Sequence, residues 1–196
     1  SSDGDSVLVS AGTYYENIIW AATNGIKLIG SGEDDCIIDG DSLANVIKFG
    51  HYLGEFIDST TLITGFTIQN GNAQDNYPYD RGGGMYLVSS SPTLMDVTFS
   101  GNMTDAKGGG MYLNDSSPTL TGVTFSGNSA GEYGGGMYLT SSSPTLTGVT
   151  FSDNTANKGG GMSLNHTIPI LMDLTFSGNT ADYAGGGIFF NNTSNI

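Results

Sequence analysis

Residues 108–128 read GGGMYLNDSSPTLTGVTFSGN, and near-copies of this segment fill the second half of the chain. The residue after each glycine triplet recurs at steps of 26, 26, 25 and 26 residues: Met85, Met111, Met137, Met162 and Ile188. The phenylalanine near the end of each copy recurs at steps of 26, 26 and 25 residues: Phe99, Phe125, Phe151 and Phe176. Two independent markers therefore define one internal repeat.

Apolar and polar residues alternate within each repeat. Met85 and Leu87 flank Tyr86, and Val97 and Phe99 flank Thr98. This alternation is typical of a β-strand that buries one face. Strands this short bury that face only when successive repeats stack. The pattern predicts an all-β protein, a single-stranded parallel β-helix (solenoid) in which each turn of chain forms one rung.

Two other repeat folds fit the pattern less well. A β-propeller blade needs about 40 residues, more than one repeat contains. A leucine-rich repeat needs a Leu-x-x-Leu-x-Leu core, which is absent from the sequence.

Residues 1–80 are less regular, but they also consist of short apolar runs between turn residues such as Asn24-Gly25 and Asp39-Gly40. We therefore expect one β-helix domain over residues 1–196, with irregular N-terminal rungs in 1–80 and regular rungs of about 26 residues in 81–196. At about 25 residues per turn, the chain predicts about eight rungs.

Several motifs resemble known β-helix proteins. The units FSGN-x-A followed by GGGM, within about residues 66–190, resemble the FxxN and GGA(I/L/V) motifs of chlamydial polymorphic membrane protein repeats. Upstream, GTYYENI at 12–18, LIGSG at 28–32 and IDG at 38–40 resemble the first rungs of the pectin lyase-like superfamily. The resemblance implies a right-handed β-helix in an extracellular or cell-surface protein.

The enzymes of the pectin lyase-like superfamily carry catalytic signatures that this sequence lacks. Galacturonan hydrolases of this superfamily carry Gly-His-Gly and Arg-x-Lys signatures, and its lyases use Arg or Lys as the base. Neither signature occurs here, the five basic residues are scattered, and His51 and His166 are far apart. We therefore expect that the protein is not an enzyme. A glycan-acting enzyme ranks third, after the two hypotheses given below.

The charge of the chain is one-sided. There are 19 acidic and 5 basic residues, for a net charge of −14. Nucleic acids and anionic membranes attract clustered cationic side chains, so we expect neither as a partner. The sequence contains no apolar run long enough to predict membrane insertion.

Tyrosines form the candidate ligand face. Tyr86, Tyr112 and Tyr138 are predicted to form an outward ladder, which Ser163 interrupts. Such a ladder stabilises a sheet by its own contacts, or it binds a polysaccharide or a host surface. The loop 73–81 is longer than its counterparts and adds Tyr77 and Tyr79 to this candidate face.

Acidic residues supply the one candidate metal site. Asp34, Asp35, Asp39 and Asp41 gather in one turn region, and oxygen-rich loops of this kind bind Ca²⁺. No EF-hand motif is present, and no other cofactor is indicated. Asn102, Asn128, Asn154 and Asn179 recur in the turns and are predicted to have a structural role.

The ends of the repeat array suggest self-association. Val7 and Val9 at one end, and Ile188 and Phe190 at the other, are expected to expose core positions that template further strand pairing. The leading hypothesis is therefore a surface stalk or a fibre subunit that stacks end to end. The alternative is an adhesin or polysaccharide-binding module that uses the tyrosine ladder and the long loop.

Overall fold

The computed structural model describes residues 4–49, 56–74 and 80–191, and within them all regular secondary structure is β-strand. The strands of the N-terminal part are β1 Ser6–Val9, β2 Gly12–Tyr15, β3 Ile18–Ile19, β4 Lys27–Gly30, β5 Cys36–Asp39, β6 Ile47–Phe49, β7 Leu62–Gln69 and β8 Asn72–Ala73. The strands of the regular repeats are β9 Met85–Val88, β10 Thr93–Ser100, β11 Met103–Thr104, β12 Met111–Asn114, β13 Thr119–Thr121, β14 Thr124–Ser126, β15 Ser129–Tyr133, β16 Met137–Thr140, β17 Thr145–Thr147, β18 Thr150–Ser152, β19 Thr155–Lys158, β20 Met162–Asn165, β21 Ile170–Met172, β22 Thr175–Ser177, β23 Thr180–Ala184 and β24 Ile188–Asn191.

These strands form three parallel sheets that wrap around one core. A 7-stranded sheet runs from β3 through β6, β9, β12, β16 and β20 to β24. A 5-stranded sheet runs from β8 to β23, and a 12-stranded sheet holds the remaining strands. Each strand pairs with its counterpart one repeat away, so the predicted parallel β-solenoid is confirmed.

The number of rungs is lower than the sequence predicts. The 7 strands of one sheet are joined by about 6 turns, rather than the predicted eight. The N-terminal rungs are longer than the regular ones, because Ile18 pairs with Ile47 and Ile47 pairs with Met85, at spacings of 29 and 38 residues.

Identical apolar residues stack in the core, as the repeat predicts. Met85, Met111 and Met137 pair in register and are fully buried. The rings of Phe99, Phe125, Phe151 and Phe176 stack with centroids 4.9 Å apart at each step. This distance is the spacing of hydrogen-bonded strands, about 4.8 Å, so backbone pairing and ring stacking occur together.

Each glycine of the triplet meets a separate requirement. Gly108 has a φ of +70°, a backbone conformation that residues with a Cβ rarely adopt. A Cβ on Gly109 would lie 2.5 Å from the carbonyl oxygen of Gly135. A Cβ on Gly110 would lie 2.8 Å from Cδ1 of Phe125. The triplet therefore lets the chain turn and then pass close to both the next rung and the core.

A ladder of buried asparagines joins the rungs. Asn128 Nδ2 donates to Asn154 Oδ1 at 2.9 Å and to the Phe99 carbonyl at 3.0 Å. Asn128 Oδ1 accepts from both the backbone N and Nδ2 of Asn102, each at 3.0 Å. Asn154 repeats this pattern with Asn179 and Phe125. The ladder holds one rung in register with the next, which agrees with the predicted structural role.

Replacing one asparagine of the ladder should destabilise the fold strongly. We expect Asn128→Ala to lower the free energy of unfolding by about 2–4 kcal/mol, because several buried donors and acceptors lose their partner. The exposed Asn157 offers the same chemical change as a control, and Asn157→Ala should cost less than about 0.5 kcal/mol. Chemical denaturation measures both values, and equal stability losses would contradict the ladder.

Candidate functional site

The tyrosine ladder exists, but its rings are not exposed. The Tyr86 and Tyr112 rings stack at 5.4 Å, and the Tyr112 and Tyr138 rings at 5.6 Å. These side chains form a cluster separate from the main core, together with Val88 and Tyr133. Only 5 %, 5 % and 4 % of Tyr86, Tyr112 and Tyr138 is accessible, so the expectation of an open aromatic face is wrong.

A second row of side chains covers the ladder. Its members pair rung to rung: Arg81, Lys107, Tyr133, Lys158 and Ala184. We call this set the cover row. Each long side chain of the cover row reaches the ladder position of the following rung.

The cations of the cover row lie over aromatic rings. The Arg81 guanidinium lies 5.4 Å from the Tyr112 ring centroid, and Nη1 donates to the Tyr112 hydroxyl at 3.2 Å. Lys107 Nζ lies 5.4 Å from the Tyr138 centroid. Such cation–π contacts stabilise the ring and shield it from water. Burial raises the pKa of Tyr138, although its hydroxyl accepts a hydrogen bond from Asn165.

In two adjacent rungs, the cover row holds a tyrosine, Tyr133, and the ladder holds a serine, Ser163. Ser163 pairs with Tyr138 on one side and with Phe189 on the other, so it occupies the ladder position between two rings. The Tyr133 ring lies 6.1 Å from Tyr138 and 6.1 Å from Phe189. The cover row therefore supplies an aromatic ring at the rung where the ladder has none.

Positive charge concentrates on this side of the solenoid. Lys48 pairs with Tyr86, and Arg81, Lys107 and Lys158 belong to the cover row, so four of the five basic residues lie here. Acidic neighbours offset part of the charge, since Arg81 lies 3.6 Å from Asp80 and Lys107 lies 3.7 Å from Glu132.

The repeat alignment contains a signal for the cover row that is not visible when the basic residues are only counted. Arg81, Lys107 and Lys158 look scattered, yet they are separated by one and by two repeats. Aligning the repeats places them in one column, next to the glycine triplets. The other predicted ligand residues, Tyr77 and Tyr79, lie outside the described residues.

Asp39, one of the candidate metal residues, is engaged in hydrogen bonds with its neighbours. Asp39 accepts hydrogen bonds from Gln69 Nε2 and Asn70 Nδ2, each at 2.8 Å, and from the Asp41 backbone N at 2.9 Å. Burial acts to raise the pKa of Asp39, but these hydrogen bonds outweigh it and hold that pKa below the ordinary value.

The other acidic residues of this region are not brought together either. Asp35 Oδ1 accepts from Ser31 Oγ at 2.8 Å. Within residues 4–49, 56–74 and 80–191, no three His, Cys, Asp or Glu side chains form a group that could hold a metal ion. The structure therefore does not assemble Asp34, Asp35, Asp39 and Asp41 around one cation.

The residues predicted for assembly occupy core columns in the terminal rungs. Val7 pairs with Leu28 and Phe190 pairs with Leu164, and both partners belong to the core cluster. Val7 is 39 % exposed and Phe190 is 51 % exposed, because no further rung of the described chain covers them. Val9 and Ile188 lie in the same rungs and are half-buried.

The fold and its ladders define a parallel β-solenoid repeat protein. A family model described as a right-handed β-helix region matches residues 7–196. The chain belongs to the right-handed β-helix family, as its motifs predict. The finer resemblance to chlamydial repeats stays a prediction.

The other comparisons add nothing to this assignment. No curated protein matches the chain, and no solved structure matches it. In the described part of the chain, no helix has the length and apolarity needed to cross a membrane.

The burial of the tyrosines changes the expected effect of their mutation. We expect Tyr112→Ala to lower the free energy of unfolding by about 3 kcal/mol, because it removes a ring stacked on both sides. Tyr15→Ala, which truncates an exposed tyrosine on β2, should cost less than about 0.5 kcal/mol. Thermal or chemical denaturation compares the two variants, and an unchanged stability of Tyr112→Ala would show that the ladder is not packed as described.

Proposed function

We propose that this chain is a non-catalytic structural segment, a stalk or fibre unit of an extracellular or cell-surface protein. One observation supports this proposal above all. The asparagines and tyrosines of the two ladders contact their own copies in neighbouring rungs, and those of the inner rungs are buried. They stiffen the stack instead of facing a ligand.

Serines provide a further example of this use. The backbone N of Ser90 donates to Ser116 Oγ, and the backbone N of Ser116 donates to Ser142 Oγ, both at 3.0 Å. All three serines are buried. Rung-to-rung bonds of this kind resist bending and slippage, which are the properties that a stalk or fibre needs.

The two ends of the stack suit end-to-end assembly. Strands β1 and β3 end the 12-stranded and 7-stranded sheets on one side, and β21 and β24 end the same two sheets on the other. A second copy stacked head to tail would continue both sheets and cover Val7 and Phe190. A head-to-tail contact does not close on itself, so repeated stacking produces a fibre. Further rungs of a longer chain would satisfy the same edges.

A binding module is the second candidate, and one surface favours it. Phe56 is exposed in a hollow of about 620 Å³ whose lining includes Asp58, Asp115 and Ser117. An exposed ring among hydroxyl and carboxylate groups suits a saccharide. This surface replaces the tyrosine ladder as the candidate face for an adhesin.

Electron microscopy with light scattering tests the structural proposal. We expect the wild-type chain to form filaments or linear oligomers, and Val7→Lys or Phe190→Lys to release monomers, because a buried lysine at the junction is unpaired. Met95→Lys is the matched control, since Met95 is exposed on β10 in the middle of the stack. It should leave assembly unchanged.

Two outcomes would contradict the fibre form of this proposal. Wild-type monomers at every concentration would show that copies of this chain do not stack. Further rungs of a longer chain would then be the partners of the two end surfaces. Filaments that persist in both end variants would show that contact occurs through another surface.

A further inference from the structure

The ladder of outer aromatic side chains has one position that carries no ring of its own, at Ser163. Its members are Tyr86, Tyr112, Tyr138, Ser163 and Phe189, in register. Adjacent tyrosine rings lie 5.4 and 5.6 Å apart. Two rungs separate Tyr138 from Phe189, a distance of about 10 Å at the usual strand spacing. The interval therefore accommodates one aromatic ring.

Tyr133 fills this interval imperfectly. Its ring is inclined by 55° to Tyr138 and by 34° to Phe189. The tyrosines of the ladder, in contrast, are parallel to within 9° and 6°. Tyr133 also borders a hollow of about 460 Å³, together with Lys107, Glu132, Asn157 and Lys158. The hollow provides space beside the Tyr133 ring.

The hydroxyl of Ser163 lies at this ladder position, beneath the Tyr133 ring. Ser163 is fully buried, and its Oγ has no hydrogen-bond partner in the described part of the chain. A buried hydroxyl without a partner costs about 1–3 kcal/mol. A polar atom on an entering ring would supply the missing partner.

Two ammonium groups lie beside the Tyr133 ring. Lys107 Nζ and Lys158 Nζ each lie 5.4 Å from the Tyr133 centroid. Glu132 lies 3.7 Å from Lys107 and offsets part of one charge. The surroundings of Tyr133 therefore carry positive charge in a chain whose net charge is −14. An anionic group is attracted here and repelled from most of the remaining surface.

We propose that this position, the Ser163 slot, binds a planar aromatic ring with a hydroxyl at one end and a carboxylate at the other. The ring stacks between Tyr138 and Phe189 after Tyr133 turns outward. Its hydroxyl hydrogen-bonds to Ser163 Oγ, and its carboxylate pairs with Lys107 and Lys158. The bound ring completes the ladder in the way that a tyrosine at position 163 would.

The probe is 4-hydroxybenzoate, titrated against the folded chain and followed by chemical-shift changes. We expect Tyr133→Ala to bind roughly tenfold more tightly than wild type, because the slot no longer has to be vacated. Ser163→Tyr should abolish binding, since its own ring occupies the slot. Tyr15→Ala is the matched control for tyrosine truncation and should bind like wild type.

Two further comparisons test the polar contacts. Lys158→Gln should weaken binding of 4-hydroxybenzoate and leave binding of phenol unchanged, because phenol lacks the carboxylate. Ser163→Ala keeps the slot open without the hydroxyl, and it should bind the probe more weakly than wild type. If Tyr133→Ala does not fold, the comparison of Ser163→Ala with wild type still tests the slot.

The proposal has clear contradicting results. Equal binding by wild type, Ser163→Tyr and Ser163→Ala would place the probe elsewhere. Absence of binding to both wild type and a folded Tyr133→Ala variant would show that the slot is only a packing defect filled by Tyr133.

Discussion

Parallel strands hydrogen-bond at a separation of about 4.8 Å, and side chains at the same position of successive repeats meet at that distance. Residues that stack on their own copies must therefore fit a fixed interval in one direction. Flat rings do so, as the 4.9 Å phenylalanine stack shows. Asparagine amides also do so, because each one donates to the next and accepts from the one before. The glycine triplets follow from the same constraint, since at Gly109 and Gly110 the next rung leaves no room for a Cβ.

The solenoid is built in two layers on the side of the 7-stranded sheet. Met, Leu and Phe side chains fill the inner core, and Tyr86, Tyr112 and Tyr138 form a second buried cluster outside it. The few cations of this acidic chain are concentrated on that outer cluster, where their alkyl stems and charges cover the rings. At Ser163 the outer layer is irregular, because the Tyr133 ring of the cover row lies between Tyr138 and Phe189.

The sequence predicts the inner core well and the outer layer poorly. The repeat period and the alternation of apolar residues place Met111 and Phe125 in the core and in register. Strand geometry alone determines both the face and the register of these side chains. Alternation also points Tyr112 away from the core, but it does not say whether another side chain covers it. That outcome depends on Arg81, which follows a long loop and reaches across to the following rung. The rung count was too high because spacing in the irregular part, such as Ile47 to Met85, is set by loops rather than by the repeat.

The acidic turn shows a similar limit of sequence reasoning. Asp39 and Asp41 are close in sequence, but Asp39 is held by Gln69 and Asn70, which lie in the following rung. Contacts between rungs, not neighbours along the chain, decide what a side chain does in a solenoid. A cluster of carboxylates in the sequence therefore need not be a cluster in space.

The central claim is that hydrogen bonds through asparagine side chains hold successive rungs in register. NMR scalar couplings across hydrogen bonds test it directly, in a chain labelled with ¹⁵N and ¹³C. The account predicts a coupling from the backbone nitrogen of Asn102 to Cγ of Asn128, and from that of Asn128 to Cγ of Asn154, with slow exchange of both amide protons. Absence of these couplings together with rapid exchange of the two amides would contradict it.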